Sequence, residues 1–180
     1  MLAERVLTED VRLRLVREDD ADALARAYSV NREHLAPWDP LRPERFFTAE
    51  QQHIDVRGAL DDYEGGIIVP LVLTAGGSVV GRVTLSSIVR GAFQNCHLGY
   101  WIAAELQGRG VMTAAVAEAV SIARSDLGLH RIEAGTLIHT VASQRVLRAN
   151  GFVEYGLAPQ YLKIAGLWQD HRMFQRLLHD

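Results

Sequence analysis

Residues 97–116 read HLGYWIAAELQGRGVMTAAV, and the rest of the chain is arranged around them. His97, Leu98, Gly99, Tyr100, Trp101 and Ile102 are rich in aromatic and branched types, which predicts a strand. Gln107-Gly108-Arg109-Gly110 then makes a turn, and a helix is predicted from about Val111. A strand, a glycine-bearing turn and a helix start make an anion site. The first helical N–H groups lack internal partners, and the helix dipole adds about half a positive charge. Gly108 and Gly110 remove the Cβ atoms that would hold a phosphate away, and Arg109 adds a cation. No Lys-Ser/Thr follows the last glycine, so the turn is not a nucleotide P-loop. Without GxGxxG it is not a dinucleotide fingerprint either. The plain alternative is a strand-to-helix turn softened by glycine.

Composition narrows the classes. At 180 residues the chain is expected to form one domain, 1–180, large enough for a single core. Hydrophobic content of 48% and charged content of 23% are ordinary for a globular protein. A net charge of −3 argues against a nucleic-acid binder, which needs a basic face. The lone Cys96 cannot form an internal disulfide, so a cytoplasmic location is expected. Acids stand near the N-terminus where a signal peptide needs an apolar run, and no apolar stretch reaches spanning length, so no membrane association is expected.

Residues 11–17 alternate strictly and predict a strand with Val11, Leu13 and Leu15 inward. Residues 20–30 have helical spacing. Residues 31–43 carry three prolines and predict an irregular loop around Trp38. A helix is expected over 44–63, with Phe47, Ile54, Val56 and Leu60 apolar and Glu64-Gly65-Gly66 ending it. Strands follow at 67–74, 79–89 and 93–102, joined by short turns and so antiparallel. The helix from Val111 to about Asp126 stripes Met112, Val116, Ala119 and Ala123 on one face. A strand over 130–137 is reached through that helix, so it can run parallel to its predecessor. A short helix at 141–150, strand pieces at 152–155 and 161–164, and a last strand at 168–177 complete the chain.

Gln107-Gly108-Arg109-Gly110-Val111-Met112 resembles the coenzyme A pyrophosphate loop of the GNAT superfamily of N-acetyltransferases, (Q/R)-x-x-G-x-(G/A), with Met112 as a departure. GYWI followed by QGRGVMT is similar to the RimJ/RimL branch, the N-terminal protein acetyltransferases. Thr140 to Leu147 with Asn150-Gly151-Phe152 resembles the superfamily's N-x-x-(A/S)-x-x-(L/V)-(Y/L)-x-x-x-G-F. Gly166, Trp168, Asp170 and His171 resemble the branch ending G-x-W-x-D-H. The resemblance implies an α/β (α+β) GNAT fold: a mixed, mostly antiparallel sheet of about seven strands, flanked by about four helices, with two strands splayed at the cofactor site. It implies acetyl-CoA as cosubstrate and a primary amine as acceptor, with a protein α-amino group favoured. The rivals are a small-molecule amine (polyamine, amino acid or antibiotic) and a weakly catalytic acyl-CoA-binding module. A homodimer is the assembly relatives suggest.

Residue by residue, the resemblance puts Gln107, Gly108, Arg109, Gly110, Val111, Met112 and Thr113 at the pyrophosphate, with the backbone of Trp101 and Ile102 along the pantetheine arm. Thr113 could equally make a routine first-turn hydrogen bond. Thr140 stands where many members hold the pantetheine with Asn; it could instead be a helix N-cap. The tyrosine many members use as general acid falls on Leu147, which cannot donate, and Ser143 matches the serine of RimJ/RimL-like members. His97 stands where many relatives carry Glu, and an imidazole suits proton acceptance near neutrality. Ser143 could instead be a capping hydroxyl, and His97 a half-exposed sheet histidine. Trp38 would form a wall or lid of the acceptor pocket or simply pack as one surface aromatic, and Asp170 would anchor an ammonium or make a loop hydrogen bond. The seven histidines show no ligand spacing, so no metal is expected.

Overall fold

The computed structural model describes residues 2–179. The described strands form one sheet in the order β1-β2-β3-β4-β5-β6-β8-β7. They are β1 (Arg5–Val6), β2 (Val11–Leu15), β3 (Val69–Ala75), β4 (Ser78–Val89), β5 (Asn95–Ile102), β6 (Arg131–Leu137), β7 (Val153–Ile164) and β8 (Leu167–Leu177). Every neighbouring pair is antiparallel except β5 and β6, which are parallel as the intervening helix requires. The helices are α1 (Ala21–Val30), α2 (Arg32–Leu35), α3 (Ala49–Glu64), α4 (Val111–Ser121) and α5 (Val141–Ala149).

Strand alternation divides the core between the two faces of this sheet. On one face Val16, Val72 and Val79 pack with α1 and α3 through Leu24, Tyr28 and Val56. On the other Leu71, Leu73, Val83, Leu85, Ile132 and Phe174 pack with α4 and with Leu147 of α5. The α4 stripe of Met112, Val116, Ala119 and Ala123 is buried, and the alanines let the helix lie close on the sheet.

The structure corrects several sequence expectations. Among the described residues there are eight strands rather than about seven, because Arg5–Val6 adds an edge, and five α-helices rather than about four. The extra helix is α2, one turn inside the stretch expected to be irregular; it ends before the first proline, Pro37. The 44–63 helix is broken: Glu44–Phe47 is a 3-10 turn, and α3 starts after Thr48, whose Oγ1 accepts from Gln51 N at 3.3 Å. Ile54, expected on the apolar face, is exposed; Gln52 is buried instead, donating to Phe46 O at 2.7 Å. Strand β7 runs unbroken through Pro159, which a sheet-edge strand with register shifts tolerates. Leu15 is only half-buried.

The feature that positions the site is where β5 leaves β6. They share three rungs, Asn95↔Arg131, Cys96↔Ile132 and His97↔Glu133, and no further rung follows among the described residues. Strand β6 instead stays with β8 along its whole length, from Arg131↔Leu177 to Leu137↔His171. The end of β5 is held toward α1 and α2. Trp101 Nε1 donates to Tyr28 Oη at 3.2 Å, and Ala104 N donates to Asn31 Oδ1 at 3.0 Å. Asn31 is buried and donates its own amide to Ala27 O at 2.9 Å. His34 Nε2 reaches Ile102 O at 3.2 Å.

Gly81 of β4 makes this geometry possible. A Cβ there would lie 2.7 Å from Trp101 O and 3.3 Å from Ile102 Cα, backbone atoms that cannot swing aside. Val80, opposite the register shift at Leu73/Thr74, brings β4 into this close approach. Gly81→Ala is therefore expected to lower stability by about 2 kcal/mol and the thermal midpoint by roughly 4–8 °C. An unchanged midpoint would show that the close approach is not constrained.

Candidate active site

The turn ahead of α4 has the form an anion site needs. Gly108 and Gly110 lie at φ +71° and +75°, where a side chain would be strained, and neither has a heavy atom within 4 Å of an added Cβ position. Gly110 is the N-cap of α4. The first N–H to bond back is that of Ala114, to Gly110 O at 3.0 Å, so the amides of Val111, Met112 and Thr113 point out of the helix end. Gln107, Gly108, Arg109 and Gly110 are exposed around them. Val111 and Met112 send their side chains into the core, so both offer backbone only. Met112 thus departs from the (G/A) pattern without intruding on the turn. Thr113 is half-buried, and its carbonyl accepts from Asn150 Nδ2 at 3.1 Å, which ties α4 to the end of α5.

These donors and the glycine turn fit a diphosphate, and the gap between β5 and β6 fits an arm carrying amides. The half-buried Trp101 packs its ring against Tyr28 at 5.0 Å, and its carbonyl faces Gly81 of β4. Ile102 has its carbonyl already met by His34, and the Gln107 side-chain amide lies 3.3 Å from the same His34 nitrogen. Thr140 occupies the N-cap position of α5 but makes no side-chain capping bond, so its hydroxyl is not spent on the helix.

The two catalytic candidates stand on opposite faces of the sheet. Residues 97 and 100 alternate along β5, with Leu98 and Tyr100 on the α4 side and His97 on the other. Ser143, in the first turn of α5, lies on the α4 side with its Oγ 2.8 Å from Tyr100 Oη. Leu147 is fully buried in the core one turn later, so that position packs rather than reacts. His97 is half-buried on the last shared rung, its Nε2 3.7 Å from Glu133 Oε2.

Two participants were not read from the sequence. Glu133 is buried, accepts from Asn95 Nδ2 at 2.8 Å and Tyr155 Oη at 3.1 Å, and lies 3.8 Å from Arg131. Burial first, and then the Glu133 charge, push the Tyr155 phenol up to about 12, so it remains a donor. Tyr100 is the second. Burial pushes its phenol up to about 12, against a smaller opposite pull from the Ser143 bond. Tyr100 reads in the sequence only as a strand residue; its approach to α5 depends on the helix that follows β6. The alternation of β5 and β6 places Glu133 beside His97 only once their register is known.

A cleft opens between the end of β6 and the start of β8, lined by Ile138, His139, Leu167, Trp168, Gln169 and Asp170. Trp38 stacks on His139 at 5.5 Å, so the two acceptor-side candidates converge on one depression. Asp170 Oδ1 accepts from Gln160 N at 2.8 Å, the loop bond weighed for it from sequence. The Trp38 loop is fastened across to the β7–β8 turn: Ala165 N donates to Asp39 O at 3.0 Å, and Leu41 packs on Gly166. Among the described residues no His/Cys/Asp/Glu cluster of metal-binding form occurs, and no helix is long and apolar enough to cross a membrane.

Comparison with known proteins agrees with this geometry. Residues 10–153 match the Acetyltransferase (GNAT) domain family. The chain is 32% identical over 169 residues to the [ribosomal protein uS5]-alanine N-acetyltransferase of Escherichia coli, covering 93% of this chain and 87% of that one. The crystal structure of ribosomal-protein-S5-alanine acetyltransferase from Vibrio fischeri superposes with a TM-score of 0.95 at 32% identity, over 99% of this chain and 98% of that one. Mycobacterium smegmatis RimJ, solved in complex with CoA-disulfide, gives 0.90 at 32% identity, over 97% and 85%. The glycine turn, the parted strands and these likenesses lead to one conclusion: the chain belongs to the GNAT acetyltransferase family, as an acetyl-CoA-dependent N-acetyltransferase of the RimJ/RimL-like branch.

Proposed function

We propose that the chain acetylates the N-terminal α-amino group of a protein, as one domain spanning 1–180 and acting in the cytoplasm. The observation that carries this reading is the parting of β5 from β6, with Ser143 on one sheet face, His97 on the other, and the cleft of His139 and Trp168 at the end of β6, where Trp38 meets His139. That arrangement lets a thioester and an amine approach from opposite sides. The names of the Escherichia coli and Vibrio fischeri relatives, which specify alanine of a ribosomal protein, support a protein acceptor. The net charge of −3 supports a partner other than nucleic acid, and the single, buried Cys96 suits a reducing compartment. A homodimer belongs to the same reading.

Bound acetyl-CoA supplies an acetyl group on a thiol leaving group. The amides of Val111 and Met112 with Gly108, Gly110 and Gln107 would hold its diphosphate, with Arg109 adding charge and Thr113 a hydroxyl. The backbone of Trp101 and Ile102 and the Thr140 hydroxyl would hold its arm. His97 would take the amine proton, directly or through water, and Ser143 Oγ–H would donate to the departing sulfur. A serine can suffice because a thiol with pKa near 8.5 is already a fair leaving group. Trp38 and Asp170 would border the acceptor.

Thiol release measured over a panel of amines tests the acceptor. Peptides with a free N-terminus are expected to exceed blocked peptides with internal lysine, and polyamines, by about tenfold or more in kcat/KM. Preference for a small amine would overturn the reading. Ser143→Ala is expected to lower kcat by about a hundredfold while acetyl-CoA affinity stays within about twofold. His97→Ala is expected to remove the acidic limb of the pH–rate profile; an unaltered limb excludes His97 as base. Arg109→Ala is expected to weaken acetyl-CoA binding more at about 0.01 M than at about 0.5 M ionic strength, read by the ligand-induced rise in thermal midpoint.

A further inference from the structure

The position at which many GNAT members carry a phenol falls on Leu147, yet a phenol stands one helical turn away. It comes from a different element. Tyr100 rises from the parted segment of β5, past the last rung shared with β6, and places Oη 2.8 Å from Ser143 Oγ and 3.2 Å from the Ser143 carbonyl oxygen. Both atoms belong to the first turn of α5, so the contact joins the strand on one side of the gap to the helix on the other. Tyr100 is half-buried, and its ring packs against the α4-side core.

We propose that Tyr100 is a positioning residue for the acetyl transfer, orienting the Ser143 hydroxyl and strengthening it as a donor to the departing sulfur. The proposal rests on the reading of Ser143 as that donor. A serine hydroxyl beside an apolar core can rotate among several acceptors. The phenol limits that choice. In the free protein its O–H has two acceptors, Ser143 Oγ and the Ser143 carbonyl. When Ser143 O–H turns to the sulfur, the phenol O–H turns to Ser143 Oγ, and a donor that is itself hydrogen-bonded is polarised.

The protons balance without ionising the phenol. The amine nitrogen bonds to the acetyl carbonyl carbon as the carbon–sulfur bond breaks with its electron pair on sulfur; Tyr100 O–H donates a hydrogen bond to Ser143, Ser143 O–H donates one to the sulfur, and both keep their protons. The amine proton passes through His97 to solvent, and the thiol takes its proton from solvent. Burial, which pushes the phenol up to about 12, keeps Tyr100 in the donating form throughout the working range.

The test is a double-mutant cycle with Tyr100→Phe, which keeps the ring. Tyr100→Phe is expected to lower kcat about tenfold and leave acetyl-CoA affinity within about twofold. In the Ser143→Ala background it is expected to cost no more than about a further twofold, because its effect is exerted through the serine. A wild-type kcat in Ser143→Ala overturns the serine donor itself. A tenfold loss that persists in the Ser143→Ala background overturns Tyr100 as a positioning residue but leaves the serine in place, and so does an unchanged kcat in Tyr100→Phe. A second measurement needs no turnover. With 3-fluorotyrosine at position 100, the fluorine titration midpoint of the free protein is expected to rise in Ser143→Ala, since the Ser143 bond draws the phenol pKa down. An identical midpoint would mean the two hydroxyls do not pair.

Discussion

The structure depends on two parallel strands being made to part. A ladder once begun tends to continue, because each rung satisfies a donor and an acceptor that would otherwise be buried alone. Strand β5 and β6 stop after three rungs because each is held elsewhere. Strand β8 takes all of β6, while Tyr28, Asn31 and His34 hold the far end of β5. The result is a gap along which β5 and β6 no longer pair with each other. An arm bearing its own amides can enter such a gap as a short added strand. Closure at Gly81 is part of the same constraint, since only a residue without Cβ lets β4 follow β5 this closely.

The parting also separates chemical roles. A sheet has two faces, and a gap through it connects them. On the α4 face stand the helix N-terminus and the Tyr100–Ser143 pair. On the other face stand His97 and the buried Glu133, and the cleft of His139 and Trp168 lies at the end of β6. Charge follows the same division. The positive end of α4 and Arg109 lie at one end of the gap, and a carboxylate lies at its vertex, although the chain as a whole carries −3. Glu133 is buried in polar company: an amide, a phenol, an imidazole and a guanidinium surround it. A buried carboxylate without such neighbours would be strongly disfavoured.

Local pattern carried most of the fold. Alternation located β2, the short break between residues 74 and 79 located the β3–β4 turn, and the helical stripe of Met112, Val116, Ala119 and Ala123 located α4 with its buried face. It failed where local and tertiary preferences differ. Two residues at Arg5–Val6 have no period to read, and they pair only because β2 offers an edge. The Pro37–Pro43 stretch hid the turn of α2 before it, and α2 is fixed by Leu35 entering the α1–α3 core. Thr48 divides the expected long helix because its hydroxyl caps the second half. Pro159 signalled a break in β7, yet only one side of that edge strand needs donors.

The sequence by itself determined the glycine turn before α4, the α/β order of elements and the serine at the start of α5, because each is encoded within a few neighbouring residues. The tertiary structure alone decided that β5 and β6 part after His97, that Glu133 stands beside that histidine, and that a phenol from β5 meets the hydroxyl of Ser143. Those contacts join residues separated by 36 and 43 positions. Their geometry is set by which strand wins each neighbour's hydrogen bonds, a competition that no local stretch of sequence records.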